Sequence, residues 1–310
     1  MWEHMQSAEE TADQVAKVYA KASLYLSREM QDIFKKYVEK HHLTEKEALQ
    51  LLNTLRDRTS IEELQRLQSS SQKQEIADLL AELEAPAYQA RIQRLQELQT
   101  QIDLVMQQVY KQEQAITTAH YIQLAEKAYN QSIFDVQQRT GFGFSFSHID
   151  QKQVDKVLKS KWSGMNYSER VWRNTRAVAQ EVKEALLVNL ITGRTERETA
   201  EMLTKKFAGG SSKARRLIRT ESCYLSNQLE MESYKECGID KYQYLATLDL
   251  RTSEICRELD GKVFLVKDQQ PGKNCPPNRY HRRKDVGGNE EKGKRSGNRE
   301  DLSCTSVYEL

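Results

Sequence analysis

For almost half its length the sequence is short of helix breakers. No glycine occurs before Gly141, and Pro86 is the only proline before Pro271. Glycine interrupts helices through backbone freedom and proline through its missing N–H, so residues 1–140 are expected to form long helices. Cysteine is absent from the first 222 residues, and the five present all lie behind them. An odd number confined to one end does not build a secreted disulfide framework and fits a reducing compartment. No apolar run approaches the roughly 18 residues that a membrane-spanning helix needs, and the mean hydropathy is −0.77. The opening MWEHMQSAEE has neither a basic flank nor an apolar core, so no signal peptide and no membrane partner are expected.

What is present is charge, 30% of residues, unevenly spread. Residues 1–140 hold 16 basic against 21 acidic residues, a net of −5, and residues 141–310 hold 31 against 24, a net of +7. A polyanion partner for the rear half is compatible with that balance but not demanded by it. Helix starts are signalled by capping boxes at Ser7 with Glu10, Thr44 with Glu47, Ser60 with Glu63 and Thr195 with Glu198. The spacing Ile92, Leu95, Leu98, Ile102, Val105, Val109 keeps one apolar stripe on a glutamine-rich helix, too irregular for a sustained coiled coil.

Three regions follow: a helical N-terminal region at 1–140, a helical middle at 141–237 and a small α+β region at 238–310. Thr140 to Phe146 alternates aromatic and small residues, which predicts an extended or looped break, with helices resuming from about Ser147 and from Tyr167 to Leu190. Gly209-Gly210-Ser211-Ser212 reads as a turn before a basic helix, Lys213–Cys237. Strands are predicted at Tyr242–Asp249, Lys262–Val266 and Cys304–Tyr308, with irregular chain at Pro271–Pro277 and a basic loop at 282–303. The expected fold is mainly α, with a short antiparallel sheet packed on the helix through Leu217, Ile218, Leu225 and Leu229.

Several pieces then occur in order. Trp162-Ser-Gly164 precedes Ser168-Glu-Arg170, and Leu217-Ile-Arg219-Thr220-Glu221 is followed by Asn227. Leu248-Asp249-Leu-Arg251-Thr-Ser-Glu-Ile-Cys256 leads to Leu259-Asp260-Gly261-Lys-Val-Phe264, and Asn274-Cys-Pro-Pro277 precedes Tyr280-His281. Over about 161–281 this resembles the phage Mu F-like head morphogenesis family, the minor head proteins of tailed bacteriophages. The resemblance implies a structural role in procapsid assembly, in the virion head and, during assembly, in the host bacterial cytoplasm. It implies the portal protein and capsid or scaffold as partners, and no small-molecule substrate. The family pattern places a paired-cysteine motif directly after the histidine. Here Arg282 and Arg283 follow, and Cys304 comes only after the charged loop. Residues 282–303 therefore read as an insertion or a disturbed C-terminus.

Each candidate chemistry has a bland counterpart. Cys256, Cys275, His281 and Cys304 have the ligand types of a zinc site but lack a C-x-x-C knuckle. Buried thiols are the preferred reading, zinc the alternative, and no other cofactor is implied. Asp249, Arg251, Glu254, Asp260 and His281 would suit metal-assisted hydrolysis, but Asp-Leu-Arg-Thr-Ser-Glu reads more naturally as a strand end and a capped helix start. Arg219 and Glu221 are expected to lock the basic helix onto the strand ending at Asp249, as an internal polar network. Arg279, Arg282, Arg283, Lys284, Lys292, Lys294, Arg295 and Arg299 offer non-specific phosphate contacts to double-stranded DNA, or form a solvated loop. No nucleophile elbow, Walker loop or zincin helix is present, so the chain is not expected to be an enzyme. The alternative is a Mu F-like toxin or metal-dependent nuclease effector, since such domains also occur joined to toxins.

Overall fold

The structure, a computed structural model, describes residues 2–34, 86–141, 143, 149–191, 195–246, 252–277 and 307–309. Its helices are α1 (Trp2–Phe34), α2 (Pro86–Thr140), α3 (Gln151–Lys159), α4 (Tyr167–Ile191), α5 (Glu196–Glu236) and α6 (Glu254–Leu259). The strands β1 (Lys241–Tyr244), β2 (Val263–Leu265) and β3 (Val307–Glu309) form one antiparallel sheet in the order β2-β1-β3. Tyr242 sits opposite Phe264 on one side and Glu309 on the other. The protein is mainly α, with a small C-terminal α+β region.

Helix starts follow local chemistry. Asp150 caps α3 by accepting from Lys152 N at 3.1 Å. Asn166 and Glu169 cap α4 reciprocally at 3.0 and 2.9 Å, and Thr195 and Glu198 do the same for α5 at 2.9 and 3.3 Å. Ser7 does not start a helix, because α1 already runs from Trp2 and the Ser7 hydroxyl meets His120 instead. The boxes at Thr44 and Ser60 lie outside the described residues.

The expected turn at Gly209–Ser212 is absent, and α5 passes through it unbroken. A Cβ on Gly210 would meet Val178 Cγ2 at 2.6 Å and Tyr19 Cε1 at 2.9 Å. This glycine serves close approach between helices, not a change of direction. The strands are also shorter than expected. β1 stops at Tyr244 because the Ala246 amide donates to the Asp260 carboxylate at 2.8 Å and leaves the ladder. β2 stops at Leu265, where Val266 enters a 3₁₀ turn to Asp268.

Contacts divide the chain into two units. The first comprises Met1–Gln14, Gln114–Val171 and Ala214–Leu310, and the second Val15–Glu113 and Trp172–Lys213. Both region boundaries read from the sequence, at 140/141 and 237/238, fall within the first unit.

The first unit has two apolar clusters. One joins Tyr121, Leu124, Ala125, Tyr129 and Ile133 of α2 to Val154 and Leu158 of α3 and Leu225 and Leu229 of α5. The other joins Met231 and Tyr234, near the end of α5, to Tyr242, Val266 and Cys275. The sheet therefore packs on the end of α5, at Met231 and Tyr234, beyond all four expected positions, while Leu225 and Leu229 pack with α2 and α3. The second unit buries Val15, Tyr19 and Leu26 of α1, and Leu98, Ile102, Met106 and Val109 of α2. It also buries Val178, Val182 and Leu186 of α4, and Leu203 and Phe207 of α5. The stripe read from the sequence is thus the inward face of α2 at Leu98, Ile102 and Val109.

Candidate functional site

Some of the motif residues meet in the first unit, around Glu221 of α5. The turn before α4 carries Trp162, and Gly164 within it has φ +80°, a left-handed conformation that favours glycine. Trp162 Nε1 donates to Glu221 Oε2 at 3.2 Å, and Arg170 Nη1 of α4 donates to Glu221 Oε1. The Arg170 guanidinium lies 4.6 Å from the Trp162 ring centroid. On Trp162 stacks Tyr224, one turn along α5 from Glu221, at 4.8 Å and 15°. Four side chains thus form one layered seam between α4, its preceding turn and α5.

The seam is closed. The Arg170 and Glu221 side chains are 1% and 4% exposed, so a substrate arriving from solvent reaches neither charge. Burial pushes the Glu221 carboxyl up, opposed by Arg170 and the indole N–H, and burial likewise raises the Tyr224 phenol. Such an ion pair is held by geometry on both sides, and removing one member strands a buried charge.

Arg219 and Thr220 do not join it. Arg219 Nε donates to Glu9 of α1, while Arg215 Nη1 donates to the same carboxylate at 2.5 Å and Nη2 to Asp13. Thr220 turns back to the Arg216 carbonyl at 2.8 Å. The expected Arg219–Glu221 network is therefore two networks, one holding α1 and one holding α4. The two point apart because residues two apart on a helix do not face the same way, and Asp249, at the expected strand end, lies outside the described residues. Asn227 is buried and donates to the Cys223 carbonyl at 2.8 Å. Its Oδ1 has no hydrogen-bond partner among the described residues.

In the α+β part, Ser253 caps α6 by accepting from Cys256 N at 3.3 Å. Gly261 N donates to the Tyr244 carbonyl at 2.8 Å, fixing the turn before β2. Cys256 is buried and its sulfur lies 3.5 Å from the Tyr244 hydroxyl. Cys275 is buried in the second cluster, and burial pushes its thiol up to about 12. That environment favours the neutral thiol, whereas zinc binds the thiolate. His281 and Cys304 lie outside the described residues, and among those described no group of three His, Cys, Asp or Glu side chains is placed to hold a metal. Asp249, Arg251, Arg279, Arg282, Arg283, Lys284, Lys292, Lys294 and Arg295 also lie outside them. Among the described residues no helix is long and apolar enough to cross a membrane.

Sequence reasoning missed two polar groups that the fold buries. His4 and His120 meet serines of α5 in the first unit, and Glu113 meets Tyr19 in the second. The signal was available in part, since Ser222, Ser226, Leu229 and Ser233 follow helical spacing and all prove buried.

Fold and seam together define a helical protein with a small α+β region, its motif residues used to fasten helices. Comparison adds a relationship at the level of a family. Residues 180–285 match the family described as Phage Mu protein F like protein, a span from α4 through β2 and beyond. The NAD(+)--arginine ADP-ribosyltransferase EFV of Enterococcus faecalis (strain ATCC 700802 / V583) is 24% identical over 182 residues. That alignment covers 57% of this chain and 37% of that protein, so the chain spans little more than a third of the relative's length. No solved structure matches the chain.

Proposed function

We propose that the chain is a structural component of bacteriophage head assembly, a minor head protein that associates with the portal and the capsid or scaffold and catalyses no reaction. The observation that carries this reading is the match of residues 180–285 to the Mu F-like family. The burial of Arg170 and Glu221 supports it, because charges consumed in packing are withdrawn from chemistry. On this reading the protein resides in the virion head, and any contact with double-stranded DNA is non-specific, through the basic residues 279–295. The test is co-expression with the portal and scaffold proteins followed by sedimentation. Co-sedimentation with procapsids at a fixed ratio is expected, and a chain left in the supernatant refutes the reading.

A second reading rests on the relative's name. The chain would then belong to a toxin-type effector, in which a Mu F-like segment accompanies an enzymatic one. Incubation with labelled NAD⁺ and an arginine-rich acceptor separates the two. Transfer of ADP-ribose supports the effector, and its absence together with procapsid association supports the assembly protein. A metal-dependent nuclease, the other form of this reading, would degrade supercoiled DNA when divalent cation is added.

A further inference from the structure

Two histidines are more than nine-tenths buried beneath the first turns of α1 in the first unit. His4 Nδ1 lies 3.1 Å from Ser226 Oγ of α5. His120 of α2 lies between two serines, with Nδ1 3.3 Å from Ser7 Oγ of α1 and Nε2 2.9 Å from Ser222 Oγ of α5. The partners are hydroxyls, and among the described residues no carboxylate hydrogen-bonds to either ring. The nearby charges are already matched. Glu3 of α1 pairs with Lys127 of α2 at 2.7 Å, and Glu9 and Asp13 of α1 pair with Arg215 and Arg219 of α5. Lys127 and His120 add positive potential at His4, and Glu3 offsets part of it.

We propose that the first turns of α1 form a clasp that opens when His4 and His120 take up protons. Serine hydroxyls can rotate to accept from an imidazolium, so the hydrogen bonds alone do not set the response. The charge does, because two cations would share one buried site while the neighbouring described carboxylates Glu3, Glu9 and Asp13 are already paired. Burial lowers both rings to about 4. Protons therefore bind the open clasp in preference to the closed one between that value and the ordinary histidine value of 6.5. Closure is complete above about pH 6.5 and is lost as pH falls toward about 4. One titration on α5 runs the other way. Glu230, one turn beyond Ser226, accepts from the Tyr234 hydroxyl at 3.0 Å, is raised to about 7 by burial, and feels Asp135 and Arg139. Its protonation favours the folded unit as pH falls through about 7, opposite in sign to the two histidines, so Glu230→Gln is expected to leave the acid opening in place.

The experiment is amide hydrogen exchange of the full chain at pH 7.5 and 5.0, corrected for the intrinsic rate. Residues 4–12 are expected to lose at least tenfold in protection at pH 5.0, toward a limit of about thirtyfold per histidine. The double variant His4→Gln/His120→Gln keeps a donor and an acceptor at each position without a titration, and is expected to show no such loss. Unchanged protection in the natural chain overturns the proposal, and so does an equal loss in the double variant. Ring resonances of the natural chain give a check that needs no variant. Both rings are expected to titrate well below 6.5 and together with the loss of protection, whereas titration near 6.5 in the closed form overturns the clasp.

Discussion

The two units differ in the ionisable groups they bury: the first holds histidines as well as a raised carboxyl, Glu230, and the second holds the carboxyl Glu113. The first encloses two neutral imidazoles against serines and a charged Arg170–Glu221 pair. The second encloses a carboxyl, Glu113, that accepts from the Tyr19 hydroxyl at 2.8 Å. Burial raises Glu113 to about 7 and lowers the histidines to about 4. One cause, loss of hydration of the charged form, keeps both groups neutral but makes them answer pH in opposite directions. Burial does not by itself make a group stabilising or labile to acid; the charge it suppresses decides that.

The largest expected effect breaks the comparison on the side of the first unit. Glu221→Ala strands the Arg170 guanidinium in a closed seam and is expected to destabilise this unit by about 3–5 kcal/mol, measured by urea unfolding. A loss under about 1 kcal/mol would mean that the seam rearranges freely.

Next comes Glu113→Gln in the second unit. Glu113 is raised in the folded state, so its contribution is fully present below about pH 4.5 and lost as pH rises through about 7. The variant is expected to flatten that slope, up to about 3 kcal/mol across the window, as read from unfolding curves at pH 4.5 and 7.5. A slope that survives places its origin elsewhere.

Two adjacent glycines give a sharper test of packing in the second unit. Gly210→Ala puts a methyl group against Val178 and Tyr19 and is expected to cost about 1–3 kcal/mol through overpacking. Gly209 has nothing within 4 Å of its would-be Cβ, so Gly209→Ala is expected to stabilise α5 by roughly 0.8–1 kcal/mol. Equal effects at the two positions, measured as shifts in thermal midpoint, would contradict the close approach at Gly210.

The smallest effect concerns the sheet. Asp260→Ala removes the acceptor for the Ala246 amide and is expected to cost about 1 kcal/mol, with exchange of that amide accelerated and the rest of α5 unchanged.

What was legible in the sequence follows from these elements. The scarcity of helix breakers before residue 141, with no glycine and only Pro86, announced α1 and α2, and the Thr195–Glu198 box announced the start of α5. The turn at Gly209 was a misreading, because glycine marks either backbone freedom or close approach, and only the neighbouring helices tell which. The motif Arg219-Thr-Glu221 was found, but its partners were not. Glu221 meets a residue 51 positions away and Arg219 one 210 positions away, and no local pattern encodes such distances. The buried histidines were invisible for the same reason. A histidine on an apolar stripe reads alike whether its partner is a serine, a metal or water.

The central claim is that the motif around Glu221 fastens α4 and its preceding turn to α5. A double-mutant cycle on Arg170→Ala and Glu221→Ala, read by urea unfolding, tests it most directly. The two side chains are predicted to be strongly coupled, by about 2 kcal/mol or more, with the double variant much less unstable than the sum of the singles. Additivity within about 0.5 kcal/mol would show that the seam does not hold the fold together and would contradict the account.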